Sequence, residues 1–357
     1  MSDFAWEKNI RKVVPYTPGE QPESDNIIKL NTNENPYGPS EKLAALIDKL
    51  DIDSFRKYPD PAAKPLVNAL AAFHNVSPEK VFVGVGSDDV LAMSFMTFFN
   101  SDKEILFPDI TYSFYPVWAD MLRIPYKQIP LEEDFTIDTE KYYSGCGGVV
   151  IPNPNAPTAM LLDKQKITDI IERCSDAIVI IDEAYIDFSP EGSSVIDLID
   201  KYDNLLVVRT FSKSRSLAGL RIGYAVGNEK LIKYLNDVKY SYNSYTMNYP
   251  SIILGSAVID DNDYFLETIE KIKKTRDEFT VKLTELGFTV LPSDANFVFA
   301  SHKDVPAKEI FEYARNNGVY FRYFNMPRID NYLRITIGKD EDMCKVFELL
   351  SDFLTRR

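Results

Sequence analysis

The chain has 357 residues, of which 45% are hydrophobic and 26% are charged, a composition typical of a globular protein with a substantial core. Its formal net charge of −14 argues against nucleic acids and anionic membrane surfaces as partners, because both bind basic surfaces. Small anionic substrates are not excluded, since a few arginines can make a single site basic.

The cysteines and the N-terminus predict the cellular compartment. Three cysteines, Cys146, Cys174 and Cys344, are widely spaced, and with only two histidines they form no metal-ligand pattern. We therefore expect reduced thiols and no metal site. The N-terminal residues lack the apolar run of a signal peptide, and no apolar stretch approaches the length of a membrane span. These features predict a cytoplasmic protein.

Residues 1–40 form the first of three predicted regions. They are rich in Pro, Asn and Glu, yet they contain apolar residues such as Val13, Val14 and Tyr16. A freely solvated tail does not need these apolar residues. We therefore expect an irregular arm that packs on its own domain or on a second subunit.

Residues 41–260 form the predicted large domain, in which strands and helices alternate. Helical stretches such as 88–99 and 164–174 separate short runs that are almost entirely apolar. These runs are 81–85, 105–107, 149–151, 178–181 and 205–208. Because strands buried on both faces are typical of parallel sheets, we predict an α/β domain whose mostly parallel central sheet has helices on both faces.

Residues 261–357 form the predicted small domain. A long charged amphipathic stretch, 264–286, ends at Gly287 and predicts a helix. Short strands are predicted at 289–291, 297–299, 319–321 and 333–336, and further helices at 306–316 and 341–354. Strands and helices in this arrangement are typical of an α+β unit.

The residues that follow the predicted strands are the candidates for function, because ligands of an open parallel sheet bind beyond the carboxyl ends of its strands. After the first strand, Gly84–Asp89 passes into a helix, and its glycines with Ser87 and Asp88 predict a cup for an anion. Ser and Asp are also ordinary helix caps, so this signal alone is weak. After the next strand, Tyr112 is an aromatic residue able to stack on a planar ring.

Asp182 ends the apolar run 178–181, where an unpaired carboxylate is unfavourable. A protonated pyridine nitrogen is a suitable partner for it, and Tyr185 can then donate to a phenolic oxygen on the same ring. The alternative is that Asp182 caps a turn or a helix.

The segment after the run 205–208 carries the most specific signal. Lys213 directly follows Ser212, and Arg221 comes eight residues after Lys213. A lysine beside buried surface and a second cation can attack an aldehyde and form a Schiff base. A serine hydroxyl and an arginine suit a phosphate held next to it. The cofactor that carries both an aldehyde and a phosphate is pyridoxal phosphate.

Taken together, these segments resemble the class I and II aminotransferases of fold-type I, a family that uses pyridoxal phosphate. The resemblance covers nearly the whole chain, and five segments occur in the family's order. They are 31–38, 58–61, 182–185, 212–223 and 332–338. The resemblance implies a fold-type I architecture: a large cofactor-binding domain with a mostly parallel sheet, a smaller α+β domain, and an arm that contributes to the small domain and to dimer contacts.

The resemblance also implies a role for each site residue. Lys213 forms the Schiff base and moves a proton, Asp182 pairs with the pyridine nitrogen, and Tyr185 binds the phenolic oxygen. The other cofactor contacts within a subunit are Ser87, Asp88, Tyr112, Asn155, Ser212 and Arg221. Tyr58 is implied to reach the cofactor phosphate in the other subunit of a homodimer. The substrate contacts are Tyr16, Asn33, Arg322 and Arg334.

Two segments depart from the family pattern. Ala156 stands where the family has the asparagine that binds the phenolic oxygen, and Ala159 stands where it has a glycine. We expect Asn155, one residue earlier, to take the place of that asparagine. The stretch 239–243 lacks the family's common proline before Tyr242.

The activity that the resemblance implies is transamination. We expect L-histidinol phosphate as the amino donor and 2-oxoglutarate as the acceptor, although Arg334 with Arg322 suits a carboxylate as well as a phosphate. An aromatic or broad-range aminotransferase and a lyase similar to threonine-phosphate decarboxylase remain alternatives. A DNA-binding regulator has no spare segment in this acidic chain, and a nucleotide-binding protein lacks its glycine motif in Gly84–Asp89.

Overall fold

The structure, a computed structural model, describes residues 4–22 and 26–356. Residues 1–3, part of the stretch in which we expect no signal peptide, lie outside the described residues. The strands in the described ranges are β1 (Ile28–Lys29), β2 (Val81–Gly84), β3 (Ile105–Pro108), β4 (Tyr126–Ile129), β5 (Gly148–Pro152), β6 (Val179–Asp182), β7 (Leu205–Thr210), β8 (Gly223–Gly227), β9 (Phe288–Val290), β10 (Phe297–His302), β11 (Val319–Tyr320), β12 (Arg322–Tyr323) and β13 (Leu333–Thr336). The α-helices in the same ranges are α1 (Glu41–Ile47), α2 (Lys64–His74), α3 (Ser87–Phe98), α4 (Phe114–Leu122), α5 (Lys164–Arg173), α6 (Glu229–Tyr242), α7 (Tyr249–Ile259), α8 (Asn262–Glu285), α9 (Ala307–Asn316) and α10 (Asp340–Thr355).

A seven-stranded sheet forms the centre of the molecule, with strand order β2-β8-β7-β6-β5-β3-β4. The strands from β7 to β4 pair in parallel, whereas β8 runs antiparallel to both of its neighbours. Every residue of β5, β6 and β7 is buried. Alternate side chains of these strands enter two separate hydrophobic clusters, one on each face of the sheet. The predicted α/β fold with helices on both faces is therefore confirmed.

Two strands of this sheet were not predicted. β4 is an edge strand in which Lys127 and Gln128 are exposed, so it lacks the continuous apolar run by which its neighbours were recognised. β8 begins and ends in glycine, which is depleted in strands and indicates a turn when read from sequence alone.

A second, four-stranded antiparallel sheet has the order β12-β13-β10-β9 and packs with α8, α9 and α10 around its own hydrophobic cluster. The predicted strand at 319–321 is divided: β11 pairs in parallel with β1, whereas β12 joins the antiparallel sheet. The arm thus adds a strand beside the second sheet, and the division of the chain at residues 40 and 260 stays a prediction. Within the described ranges no helix is long and apolar enough to cross a membrane.

A close backbone contact joins β8 to the start of α3. Gly86, which precedes α3, has φ of 87°, a left-handed conformation that glycine adopts without strain. A Cβ atom on Gly223 would overlap the carbonyl carbon of Gly86 and the backbone nitrogen of Ser87. Only glycine at position 223 therefore lets these two segments lie against each other.

We predict that Gly223→Ala lowers the free energy of unfolding by about 3 kcal/mol, because the added methyl group meets backbone that cannot move without disturbing the sheet. Chemical denaturation of the variant measures this change. The matched control is Gly219→Ala, since a Cβ there meets nothing within 4 Å and a change of about 1 kcal/mol or less is expected. Equal stabilities of the two variants would contradict the prediction.

Candidate active site

A cavity of about 180 Å³ opens at the edge where the parallel strands end. Its lining comes from the segments that follow β2, β3, β5, β6 and β7, from the turn before β8, and from Thr32 and Glu34. The predicted site residues that line it are Ser87, Asp88, Tyr112, Asp182, Tyr185, Ser212, Lys213 and Arg221. Residues widely separated in sequence therefore meet at one edge, as expected for an open parallel sheet.

Lys213 reaches this cavity from the loop after β7. Its Nζ atom donates a hydrogen bond to the carbonyl oxygen of Thr32 at 2.9 Å and lies 5.8 Å from the ring centre of Tyr185. In the described part of the chain, Lys213 forms no ion pair with a carboxylate. No salt bridge therefore has to break before this amine reacts with an aldehyde.

A buried ion-pair network supports the loop that carries Lys213. Arg209, in β7, forms ion pairs with Glu183 at 2.8 Å and with Asp187 at 3.3 Å. Asp187 also accepts a hydrogen bond at 2.6 Å from the hydroxyl of Ser214, the residue after Lys213. Since buried charges persist in the folded state only when they are paired, this network fixes the backbone on both sides of Lys213.

Sequence reasoning missed this network, although part of its signal was present. Arg209 directly follows an apolar run, and a charge in that position requires a partner. The partners, Glu183 and Asp187, follow a different strand, so only the pairing of β6 with β7 identifies them. The hydroxyl of Thr210, which donates to Ser212 Oγ at 3.0 Å, was also missed.

Asp182 ends β6 with its carboxylate at the floor of the cavity. Tyr115 donates a hydrogen bond to Oδ2 at 2.9 Å, and the backbone N–H of Ala184 donates to Oδ1 at 3.3 Å. Burial raises the pKa of Asp182 from 3.8 to about 6, while the hydrogen bond from Tyr115 opposes that rise. No cation pairs with this carboxylate within the described residues, so a protonated ring nitrogen would complete its environment.

The opposite end of the cavity has the character of an anion site, and we call Gly86, Ser87, Ser212 and Arg221 the phosphate cup. The first backbone N–H groups of α3 have no acceptor within the helix. Gly86, which precedes them, has no side chain that could accept their hydrogen bonds. Arg221 approaches the same end of the cavity, and its only carboxylate contact among the described residues is a loose one, 3.4 Å to Asp88. Free N–H groups, a serine hydroxyl and a guanidinium together suit a phosphate.

The donor set fits pyridoxal phosphate at each of its functional groups. Lys213 matches the aldehyde, the phosphate cup matches the phosphate, and Asp182 matches the pyridine nitrogen. The hydroxyl of Tyr185 accepts a hydrogen bond from Asn33 Nδ2 at 2.9 Å, so its own proton is free for the phenolic oxygen. Asn33 therefore acts on the cavity through Tyr185 and is not itself part of the lining.

A second cavity of about 310 Å³ adjoins the first, and Tyr112 lines both. Tyr112 donates a hydrogen bond to Asp88 at 2.7 Å, which fixes its ring at the border of the two cavities. Tyr16 and Arg322 line the second cavity, where the ring of Tyr16 stacks on Phe114 with centres 4.2 Å apart. The arm and the small sheet thus provide one wall of a space that begins where the cofactor cavity ends.

Arg334 lies beside these cavities on β13 without lining either one. One of its terminal nitrogens donates to the carbonyl oxygen of Asn31 at 2.8 Å, whereas its buried Nε atom has no hydrogen-bond partner among the described residues. Loss of water around the guanidinium lowers the pKa of Arg334, and nearby Arg322 adds to that effect. A partly buried arginine with an unused donor is set up to receive an anion.

Two predicted cofactor contacts are not brought to the cavity. The amide nitrogen of Asn155 donates to Ile110 and Thr158, each at 3.0 Å, and Ala156 lines the cavity in its place. Within this chain Asn155 therefore supports the loop and does not reach the cavity. Tyr58 is 82% exposed, packs its ring against Tyr245, and does not line the cavity of its own chain.

Comparison with known proteins gives a consistent result. The sequence model for "Aminotransferase class I and II" matches residues 25–349. A histidinol-phosphate aminotransferase from Lactococcus lactis subsp. cremoris (strain SK11) is 46% identical over 354 residues, which cover 99% of each chain. One from Brachyspira hyodysenteriae is 48% identical over 343 residues, 96% of each chain.

Among solved structures, the histidinol-phosphate aminotransferase from Sinorhizobium meliloti in complex with pyridoxal-5'-phosphate superimposes with a TM-score of 0.84. The match covers 92% of this chain and 91% of that one, at 22% sequence identity. At this identity the likeness shows that the two proteins share a fold.

We predict that Asp182→Asn stabilises the cofactor-free protein above pH 6. A carboxyl group whose pKa is about 6 when folded and 3.8 when unfolded destabilises the folded state as pH rises between those values. The full penalty, about 3 kcal/mol at 1.36 kcal/mol per pKa unit, applies above pH 6, and about half of it remains at pH 5.

Chemical denaturation of cofactor-free Asp182→Asn and of the unsubstituted protein, at pH 8 and at pH 5, measures this difference. Exposed Asp330→Asn is the control and should change stability little at either pH. A stability difference that does not shrink between pH 8 and pH 5 would contradict the raised pKa.

Proposed function

The chain belongs to the class I and II aminotransferases, which depend on pyridoxal phosphate, and we propose that it transfers the amino group of L-histidinol phosphate to 2-oxoglutarate. The products are imidazole acetol phosphate and glutamate, and the reaction belongs to histidine biosynthesis. Relatives that cover nearly the whole chain at 46% and 48% identity carry the corresponding name.

One observation in the structure carries the proposed substrate class: two arginines beside the cavity lack an acidic partner. Within the described residues neither Arg334 nor Arg322 forms an ion pair, and the Nε atom of Arg334 makes no hydrogen bond at all. Partly buried cations without counter-ions favour a bound anion. The phosphate of histidinol phosphate and a carboxylate of 2-oxoglutarate can each serve, which allows both substrates to use one site in turn.

Pyridoxal phosphate, when bound, supplies an electron sink that makes the proton on the substrate α-carbon removable. The residues of this chain then divide the remaining work. The phosphate cup would anchor one end of the cofactor, and Asp182 would keep a proton on the ring nitrogen at the other. Lys213 would hold the aldehyde carbon through Nζ, and the same atom, once freed by the substrate amine, would take the α-proton.

The surroundings of Lys213 suit that proton transfer. Its Nζ atom donates a hydrogen bond to the neutral carbonyl oxygen of Thr32 and, within the described residues, forms no ion pair that would hold it away from the substrate. The hydroxyl of Tyr185, oriented by Asn33, would donate to the phenolic oxygen of the cofactor. Tyr112 and Tyr16 cover the cavity with aromatic surface and limit the entry of water.

We also propose a homodimer in which each subunit supplies Tyr58 to the site of the other. Tyr58 is exposed and its ring contacts that of Tyr245. The segments that carry these two residues have further large exposed side chains, namely Ile47, Ile52, Phe55 and Tyr242. Exposed apolar side chains of this size are typical of a protein interface. Location in the cytoplasm stays a prediction, and the three free cysteines are consistent with it.

We predict that the purified protein binds pyridoxal phosphate with a visible absorption band and forms glutamate from histidinol phosphate and 2-oxoglutarate. Lys213→Ala should lose the band and at least about 1,000-fold in kcat, since both covalent binding and proton transfer depend on its amine. Enzyme-coupled detection of glutamate with a panel of amino donors measures the reaction.

Each alternative has its own signature in that panel. Carbon dioxide released from threonine phosphate without glutamate indicates a decarboxylase, and faster reaction with aromatic amino acids indicates an aromatic aminotransferase. A protein that stays colourless with added pyridoxal phosphate would refute the proposal as a whole.

We predict that Arg334→Gln lowers kcat/KM for histidinol phosphate about 100-fold, because a charge-assisted hydrogen bond to the phosphate is lost. The visible absorption of the bound cofactor should be unchanged, since Arg334 does not line the cofactor cavity. Arg356→Gln is the control, because Arg356 is exposed at the end of α10 and, among the described residues, pairs only with Asp352. Steady-state kinetics that show equal losses for both variants would contradict the role of Arg334.

A further inference from the structure

Lys239, near the end of α6, is a buried lysine to which the proposed reaction gives no role. It is 2% exposed, and its Nζ atom donates a hydrogen bond to the carbonyl oxygen of Pro61 at 2.8 Å. Within residues 4–22 and 26–356 it forms no ion pair. A lysine this deeply buried without a paired carboxylate is rare, because its ammonium group loses its water without direct compensation.

The surroundings of Lys239 compensate for burial only in part. The rings of Tyr240 and Phe82 lie 4.7 Å and 5.8 Å from Nζ, and Asp60 and Asp89 supply negative charge at longer range. Burial nevertheless lowers the pKa of Lys239. A methionine could fill the same space without this penalty, so a role beyond packing accounts for the charge.

Lys239 interacts with two turns, and each turn carries residues proposed to bind a cofactor phosphate. The first is the Tyr58 turn, residues 58–61, in which Asp60 accepts hydrogen bonds from the backbone of Ala62 and Lys64, each at 3.0 Å. The ammonium group of Lys239 holds the same turn through Pro61. The side chain of Tyr58 projects from it and is mostly exposed.

The second turn belongs to the phosphate cup of the same subunit. Asp89 lies close enough to Lys239 for their charges to attract, and it accepts a hydrogen bond from the backbone N–H of Val85 at 2.9 Å, closing the turn that leads to Ser87. The ammonium group of Lys239 thus binds the carbonyl of the turn that presents Tyr58 and attracts the carboxylate that shapes the phosphate cup.

We propose that Lys239 is a positioning residue that fixes the Tyr58 turn against the phosphate cup of its own subunit, and thereby sets the hydroxyl of Tyr58 at the cofactor phosphate of the partner subunit. This inference rests on the proposed homodimer with shared sites. It assigns the effect of Lys239 to the neighbouring active site and not to the one in its own chain.

The first test replaces Lys239 by Met and measures the dissociation constant of pyridoxal phosphate by absorption titration. It should rise about tenfold, the effect of a weakened hydrogen bond to a charged group, while thermal stability is unchanged or higher because a buried charge is gone. Lys233→Met, an exposed lysine on the same helix, is the control and should change neither quantity. Lys239→Arg should restore most of the affinity.

Tyr58→Phe then identifies the route of the effect. If Lys239 acts through Tyr58, Lys239→Met should weaken binding little further in the Tyr58→Phe background. Full additivity of the two losses would overturn the inference.

Heterodimers distinguish an effect of Lys239 on the active site of its own subunit from an effect on the active site of the partner subunit. In the first heterodimer one subunit carries Lys213→Ala with Lys239→Met and the other is unsubstituted. In the second, one subunit carries Lys213→Ala and the other Lys239→Met. Both contain the same substitutions, so a general loss of stability affects them equally.

Only the intact Lys213 gives the visible absorption band, and it should bind pyridoxal phosphate about tenfold more weakly in the first heterodimer than in the second. Equal affinities, or the reverse order, would overturn the inference. Failure of the unsubstituted protein to dimerise or to bind the cofactor would instead refute the proposed function.

Discussion

The candidate site depends on the register of three parallel strands at the centre of the sheet. Pro152 of β5 pairs with Asp182 of β6, and Asp182 pairs with Val208 of β7. Because side chains alternate between the faces of a sheet, a shift of one residue would turn Asp182 away from the cavity and carry Lys213 out of place with its strand. The ion pair between Glu183 and Arg209 joins β6 to β7 one residue beyond the pairing of Asp182 with Val208. It therefore stabilises this register at the edge of the sheet that faces the cofactor cavity.

Much of the fold could be predicted because its buried strands are apolar without interruption. β3, β5, β6 and β7 were recognised in this way, whereas β8 was missed because glycines mark its ends. The exposed edge strand β4 was missed because its polar residues face solvent. In both cases tertiary pairing, and not local sequence, decides the conformation.

The site was predictable to the extent that each residue follows a recognisable strand. Lys213, Asp182 and Tyr112 could be placed by this rule, and the structure brings them to one cavity. Asn155 could not, because the direction of its amide depends on Ile110 and Thr158, which no spacing reveals. The partners of Arg209 could not be predicted either, because Glu183 and Asp187 belong to another segment of the chain.

The close contact between Gly223 and the start of α3 links cofactor capture to the completion of the sheet. Gly86 and Ser87 belong to the first strand–helix unit, whereas Arg221 and Gly223 enter through β8, which is inserted between β2 and β7. The phosphate cup is therefore complete only when β8 lies in the sheet, because Arg221 stands two residues before that strand.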